Sequence, residues 1–173
     1  MRPQLFTIRC AGPGALSTMG RPRGGKWLAD EMNGLAAYGV SVLVSLLSDA
    51  ETAELGLSGE AEAAQASGLT FYRLPTEDRH APDLDAGRAL AGTLRELIAD
   101  GAHVAVHCRF GIGRSSTLAA MVLVLDGTPP EQAWSLIAAA RGRTVPDSTS
   151  QLETIQTLSA AIQNAVPRTH GPL

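Results

Sequence analysis

The chain has 173 residues, 45% of them hydrophobic, and a formal net charge of −3 at pH 7. This length and apolar content predict a single domain over residues 1–173, with a loose tail from about residue 166. The small negative charge provides no general attraction to nucleic acid or to anionic lipid, so we expect neither as a partner.

The apolar segments are too short for a signal peptide or a membrane span. The longest, VSVLVSLL and TLAAMVLVL, fall far short of the roughly 20 residues that a spanning helix needs. Two cysteines far apart, Cys10 and Cys108, do not form a disulfide framework, so we predict a soluble protein in the reducing cytoplasm. We expect Cys10 in the core, with a redox partnership to Cys108 as the alternative. The sequence leaves the oligomeric state open.

The first half of the chain alternates strand-like and helix-like patterns. A glycine- and proline-rich loop carries Arg21, Arg23 and Lys26, which we interpret as solvated charges, with substrate contact as the alternative. The patterns predict, in order, a strand over 5–10, this loop up to about 25, a helix over 27–39, a buried strand over 40–47, short helices over 51–55 and 59–67, and a strand over 69–75.

The second half continues the alternation and then becomes helical. A capping box of Thr128, Pro129 and Glu131 predicts the start of one helix. The patterns predict a polar loop over 76–83, a helix over 85–100, a strand over 101–107, a buried helix over 115–125, a helix to about 140 and a last helix around 152–162. Together they indicate an α/β fold, with a mostly parallel central sheet flanked by helices and a helical C-terminal third.

The stretch HCRFGIGRSS, residues 107–116, joins a predicted strand to a predicted helix. Its glycines allow the loop to curl so that successive amide groups point inward and bind an anion at the helix N-terminus. Arg114 can add a forked clamp on that anion, and Ser115 can donate a hydrogen bond to the sulfur. Helix N-termini and nearby cations favour the thiolate, which is the nucleophilic form, at Cys108. We expect His107 to order the loop rather than to act as a base.

His-Cys, five residues, then Arg-Ser resembles the signature of the cysteine-dependent protein tyrosine and dual-specificity phosphatases, in particular small bacterial members. The resemblance covers about residues 5–158 and implies the fold of that family, no metal and no cofactor. It also implies that Cys108 attacks phosphorus and forms a phosphocysteine, which is then hydrolysed. The implied phosphate-binding loop consists of Arg109, Phe110, Gly111, Ile112, Gly113 and Arg114.

The family places its general acid about thirty residues before the cysteine, on a loop that follows a strand. Asp78 matches this position in LPTEDRHAPD and is the predicted acid, later the base for water. Glu77 and Asp83 are its nearest competitors, and Asp83 reads better as the N-cap of the next helix. Gln151 stands where relatives carry a water-positioning residue, although an ordinary polar residue at a helix start is the simpler interpretation.

The sequence therefore predicts a phosphatase for phosphotyrosine in proteins or peptides, with phosphoserine and phosphothreonine left open. The loop lacks the lysines of lipid-directed relatives, which disfavours a phosphoinositide. Alternatives are a phosphate-binding or phosphoprotein-binding module with little turnover, a phosphatase for a non-protein monoester, and a sulfur-transfer or arsenate-reducing enzyme. The last would need further thiols for its relay, and only Cys10 is available.

Overall fold

A five-stranded sheet in the order β1-β2-β5-β3-β4 forms the centre of the computed structural model, which describes residues 3–165. Its strands are β1 (Phe6–Ile8), β2 (Ala15–Gly20), β3 (Val42–Ser45), β4 (Thr70–Arg73) and β5 (His103–Cys108). Four strands run parallel, and β1 is antiparallel to β2. The predicted α/β class and mostly parallel sheet are confirmed, with one antiparallel edge strand. The predicted tail from about residue 166 lies outside the described residues.

Helices cover both faces of this sheet. They are α1 (Leu28–Tyr38), α2 (Asp49–Glu54), α3 (Glu60–Ala66), α4 (Leu84–Ala99), α5 (Arg114–Leu125), α6 (Pro130–Arg141) and α7 (Thr149–Ala165). On one face α5 is buried along almost its whole length and packs against α4, α6 and α7. On the other face α1 and α3 cover a second, smaller core. Within the described part of the chain, no helix has both the length and the apolar character needed to cross a membrane.

The central strand β5 explains why the sequence places the signature at its end. Its residues alternate between the two cores, so that Val104, Val106 and Cys108 face α5, whereas Ala105 faces α1 and α3. Both faces are covered, which requires the near-continuous apolar character of this segment. The strand ends at the cysteine, and the loop and α5 follow at once.

Two sequence predictions were wrong. The segment that contains β2 was predicted as loop, but it pairs with both β1 and β5, and its polar Ser17 is satisfied by hydrogen bonds to Thr7 and His103. Helix α6 begins at Pro130 without a side-chain cap, so the capping box on Thr128 does not form. The amide of Thr128 instead bonds to the carbonyl of Leu123 at the end of α5.

Candidate active site

The loop between β5 and α5 binds its neighbours through its carbonyl groups. The carbonyl of Arg109 accepts from the amide of Arg21, and those of Phe110 and Gly111 accept from the guanidinium of Arg141 at 3.1 and 3.0 Å. Within residues 3–165, the amides of residues 110–113 have no protein acceptor. A loop with engaged carbonyls and free amides at a helix N-terminus is a binding site for an anion.

The two glycines of this loop are required by close packing. Gly111 has a φ of +70°, and a Cβ there would lie 2.5 Å from the backbone carbonyl carbon of Met19. A Cβ at Gly113 would overlap the carboxylate of Asp147. The first clash is with rigid backbone and the second with a side chain, so the loop depends on Gly111 more strictly than on Gly113.

Cys108 lies at the base of the loop and is only 3% exposed. Its Sγ is 3.3 Å from Oγ of Ser115, in the first turn of α5. Ser116, the second serine of the motif, is also buried, and its hydroxyl has no partner within the described residues. Cys10 packs against the same core and lines a surface cavity with Val122 and Leu123, near the C-terminal end of α5, and both cysteines are free thiols. Cys10 and Cys108 thus lie near opposite ends of α5, on the same face of the sheet, and the length of this helix between them disfavours the redox alternative.

Arg114 is 2% exposed and is held by a carboxylate that the sequence interpretation did not identify. Its two terminal nitrogens donate to the two carboxylate oxygens of Glu51, at 2.6 and 3.0 Å, and one also donates to the carbonyl of Thr76 at 2.8 Å. This hydrogen-bonded pairing with Arg114 lowers the pKa of Glu51. Burial opposes the charge of Arg114, but Glu51 and the negative groups at Cys108 and Asp78 raise its pKa overall.

Asp78 reaches the same guanidinium from the loop after β4. Its Oδ1 lies 3.2 Å from a terminal nitrogen of Arg114 and also accepts from the amide of Arg79 at 3.0 Å. Arg79 has a φ of +63°, which a residue with a side chain rarely adopts, and its amide is the one that binds the Asp78 carboxylate. Asp78 and its competitor Glu77 are both exposed, but within residues 3–165 only Asp78 of the two contacts Arg114. The other competitor, Asp83, caps α4 through the amide of Ala86, as predicted.

Gln151 and His107, the two residues that the sequence predicts in supporting roles, are both buried behind the loops of the site. Gln151 is fully buried; its side chain donates to the carbonyl of His80 and accepts from the amide of Asp147, so it ties the loop of Asp78 to the start of α7. His107 is also fully buried, on the face of β5 opposite Cys108, where its Nε2 lies 2.9 Å from Oε1 of Glu60.

Sequence interpretation missed Glu51 and Arg141. The signal for Glu51 was present, since SDAE after a buried strand is a capping box, and Ser48 and Glu51 do form it. Nothing local, however, indicates that the same carboxylate binds Arg114. Arg141 lies in the last turn of α6, where a basic residue usually only complements the helix dipole.

The basic loop before α1 makes mostly internal contacts. Arg23 pairs with Glu31 at 2.6 Å, and its guanidinium lies 4.6 Å from the ring centre of Trp27. Lys26 lies 5.0 Å from the same ring. Arg21 donates to the carbonyl of Pro22. Arg23 and Lys26 are thus both engaged with Trp27, which favours a structural role for this loop.

The site combines a buried sulfur, an amide-lined anion loop, a fixed guanidinium and a nearby carboxyl group. A tetrahedral oxyanion fits such a loop, and the sulfur at its base can reach the central atom. The geometry is thus suited to transfer of an oxyanion group to sulfur.

Comparison with known proteins agrees with this chemistry. Residues 17–128 match a family model described as "Polymorphic toxin system, DSP-PTPase phosphatase". No curated protein sequence matches the chain. Kinase-associated phosphatase, with its catalytic-site cysteine replaced by serine, has a TM-score of 0.82 at 16% identity, covering 96% of this chain and 99% of its own.

Two other solved structures are similar. The structure of PTPMT1 in complex with PI(5)P has a TM-score of 0.72 at 22% identity, covering 92% of this chain and 97% of its own. The structure of human DUSP28 has a TM-score of 0.69 at 21% identity, covering 92% of this chain and 99% of its own. These identities show a common fold, and the family model covers well over half of the chain. The chain therefore belongs to the DSP-PTPase phosphatases of polymorphic toxin systems and is a cysteine-based phosphatase.

Proposed function

We propose that this phosphatase hydrolyses phosphotyrosine in proteins or peptides through a phosphocysteine at Cys108, as the enzymatic part of a polymorphic toxin. The observation that carries the proposal is the arrangement around the loop. Cys108 lies at its base, the amides of residues 110–113 have no acceptor among residues 3–165, and Arg114 is buried beside them. Such an arrangement binds the three equatorial oxygens of a phosphoryl group while sulfur approaches opposite the leaving oxygen.

In the first step the Cys108 thiolate forms a bond to phosphorus, and the bond from phosphorus to the phenolic oxygen breaks. Asp78 donates its proton to that oxygen. In the second step water attacks the phosphocysteine, Asp78 accepts a proton from the water, and the S–P bond breaks. Ser115, with Oγ 3.3 Å from Sγ, then stabilises the departing thiolate by donating a hydrogen bond.

Asp78 and the substrate compete for the same donor. In the free enzyme Asp78 lies 3.2 Å from Arg114, whose other terminal contacts go to Glu51 and Thr76. An arriving phosphate takes the Arg114 donor that faces Asp78 and releases this carboxyl group toward the leaving oxygen. Glu51 stays in place because it binds the guanidinium with both oxygens.

The surroundings of the loop favour an aryl phosphate. Phe110 is 63% exposed within the signature loop, where it can contact an aromatic leaving group. Arg109, the only cation between Cys108 and Arg114, is already paired with Glu54 at 2.9 Å and lies 3.7 Å from Glu51. Little free positive charge is thus left for the additional phosphates of a lipid headgroup. The similar structure with PI(5)P makes such a headgroup the second candidate.

The test is hydrolysis of a small aryl phosphate with chelator present, from pH 4 to 9, by wild type, Cys108→Ser, Asp78→Asn and the control Glu77→Gln. We expect no turnover for Cys108→Ser and a loss of about 10²- to 10⁴-fold for Asp78→Asn, without the basic limb of the pH profile. Glu77→Gln should match wild type, because within residues 3–165 Asp78 contacts Arg114 and Glu77 does not. Activity that survives in Cys108→Ser would exclude this nucleophile.

A substrate panel then separates the finer alternatives. Wild type should hydrolyse a phosphotyrosine peptide faster than the matched phosphoserine peptide and faster than vesicles that contain PI(5)P. Faster hydrolysis of the vesicles would favour the lipid headgroup. Binding of vanadate without turnover of any substrate would favour a phosphate-binding module. The cytoplasmic location stays a prediction from the sequence.

A further inference from the structure

Two carboxylates of α2 face the two arginines of the signature. Arg114 binds Glu51 at 2.6 and 3.0 Å, and Arg109 donates to Oε1 of Glu54 at 2.9 Å. Oε1 of Glu51 joins the two pairs, because it lies 3.0 Å from a nitrogen of Arg114 and 3.7 Å from a nitrogen of Arg109. The guanidinium of Arg109 is therefore a close neighbour of the one that binds phosphate in the proposed mechanism, which itself does not use Arg109.

Arg109 is open to solvent beside the reacting groups. Its side chain is 30% exposed, whereas that of Arg114 is 2% exposed. The hydrogen bond to Glu54, together with the charges of Glu54, Glu51 and Asp78, raises the pKa of Arg109. A cation that lies close to Arg114 and senses the charge of Asp78 is within reach of a second negative group carried next to the scissile phosphate.

Glu54 occupies this cation. Glu54 is the last residue of α2, where the helix dipole disfavours a carboxylate, and its pair with Arg109 compensates for that position. With Glu51 on Arg114 and Glu54 on Arg109, each guanidinium of the signature has its own carboxylate. A phosphoryl group still has the loop amides and the Arg114 donor that faces Asp78. A second negative group has no such free donor at Arg109.

We propose that Glu54 is a positioning residue that keeps Arg109 occupied and thereby restricts the site to phosphoryl groups without a second negative group beside them. A substrate with such a group must displace Glu54 from Arg109 or place its charge next to the Glu54 carboxylate. Phosphotyrosine among neutral residues does neither, whereas a phosphoinositide or a phosphotyrosine with an acidic neighbour does one or the other. The inference rests on the proposed function in taking the signature loop as the phosphate site.

The first test measures anion binding without turnover. Calorimetric titration at low ionic strength compares inorganic phosphate with methylenediphosphonate, whose two phosphoryl groups are joined by carbon and are not hydrolysed. Glu54→Gln should strengthen binding of methylenediphosphonate relative to phosphate by about 2- to 5-fold, the size of one exposed ion pair. Asp49→Asn is the matched control, because Asp49 is exposed on the same helix but pairs with Arg73, and its ratio should equal that of wild type.

A double substitution shows whether Glu54 acts through Arg109. The gain from Glu54→Gln should disappear when Arg109→Gln is also present, because the freed cation is then missing. An equal gain in both backgrounds would mean that Glu54 merely repels anions, and it would overturn the inference. An unchanged ratio in folded Glu54→Gln would overturn it as well.

The second test uses turnover of two phosphotyrosine peptides that differ only in a Gln or a Glu beside the phosphotyrosine. Wild type should prefer the peptide with Gln, and Glu54→Gln should narrow this preference through KM rather than kcat, since Arg109 would bind the flanking charge and not the reacting atoms. If wild type hydrolyses the peptides but Glu54→Gln changes neither the preference nor the anion ratio, the inference alone fails. If neither peptide is hydrolysed but the anion ratio moves, the inference stands and the proposed function fails.

Discussion

Replacing Glu51 by glutamine should destabilise the protein measurably, because Arg114 is buried and Glu51 supplies its countercharge. Glutamine keeps the capping box with Ser48, so the variant removes the charge and leaves the start of α2 intact. Of the two hydrogen bonds from Arg114, at 2.6 and 3.0 Å, one is lost because glutamine has a single acceptor oxygen, and the other loses the charge of its acceptor. At about 1 kcal/mol each, the loss is about 2 kcal/mol, which for a domain of this size lowers Tm by about 4–8 °C.

The dependence on pH provides a second check on the same variant. The pKa of Glu51 is lowered in the folded state, chiefly by the hydrogen bond from Arg114, so its stabilising contribution is complete above the unfolded value of about 4.3. This contribution is lost as the pH falls through the folded value. The difference in Tm between wild type and Glu51→Gln should therefore be constant from pH 7 to about pH 5 and should close at lower pH.

Thermal unfolding followed by circular dichroism measures both effects, and Glu54→Gln is the matched control. Glu54 lies on the same helix but pairs with Arg109 at the surface, where an ion pair contributes about 0–1 kcal/mol. Inorganic phosphate should raise the Tm of Glu51→Gln more than that of wild type, because it replaces the missing negative charge at Arg114. A Tm for Glu51→Gln equal to that of Glu54→Gln, or a difference that widens in acid, would refute the reasoning.

Three further predictions concern the loop and its supports. Gly113→Ala should lower kcat/KM, and a second substitution, Asp147→Ala, should restore it by removing the side chain that the new Cβ meets. Gly111→Ala should also lower kcat/KM, but no side-chain truncation should restore it, because its Cβ meets the backbone of Met19. Equal restoration of both variants by Asp147→Ala would contradict this distinction. Arg141→Gln loses charged bonds to two loop carbonyls, so urea unfolding should show a loss of about 2 kcal/mol and aryl phosphate hydrolysis should slow; unchanged activity would show that Arg141 does not shape the loop. Gln151→Leu frees the carbonyl of His80 and should speed proteolysis of the Asp78 loop, and an unchanged cleavage rate would argue against this tie.

The features that sequence reasoning identified depend on short stretches of chain. The strand, cysteine loop and buried helix were predictable because an apolar β-branched run, two glycines and a second apolar run lie within 25 residues. The cap at Asp83 was predictable because its hydrogen bond reaches only three residues ahead. Strand β2 was not, since its small and polar residues become a strand only through pairing with β1 and with β5, which lies far along the chain.

The acidic residues of the site that sequence interpretation missed are the partners of two buried polar residues of the signature. Arg114 and His107 are both removed from water; the buried cation of Arg114 requires a partner of opposite charge, and the buried imidazole of His107 requires a polar partner. The motif therefore implies acidic side chains without locating them, because the partners come from elsewhere in the chain. The structure shows Glu51 beside Arg114 and Glu60 beside His107, each in the first turn of a short helix that follows β3. In that position a carboxylate is also favoured by the helix dipole, so α2 and α3 compensate the signature from one side while the loop stays open to an anion from the other.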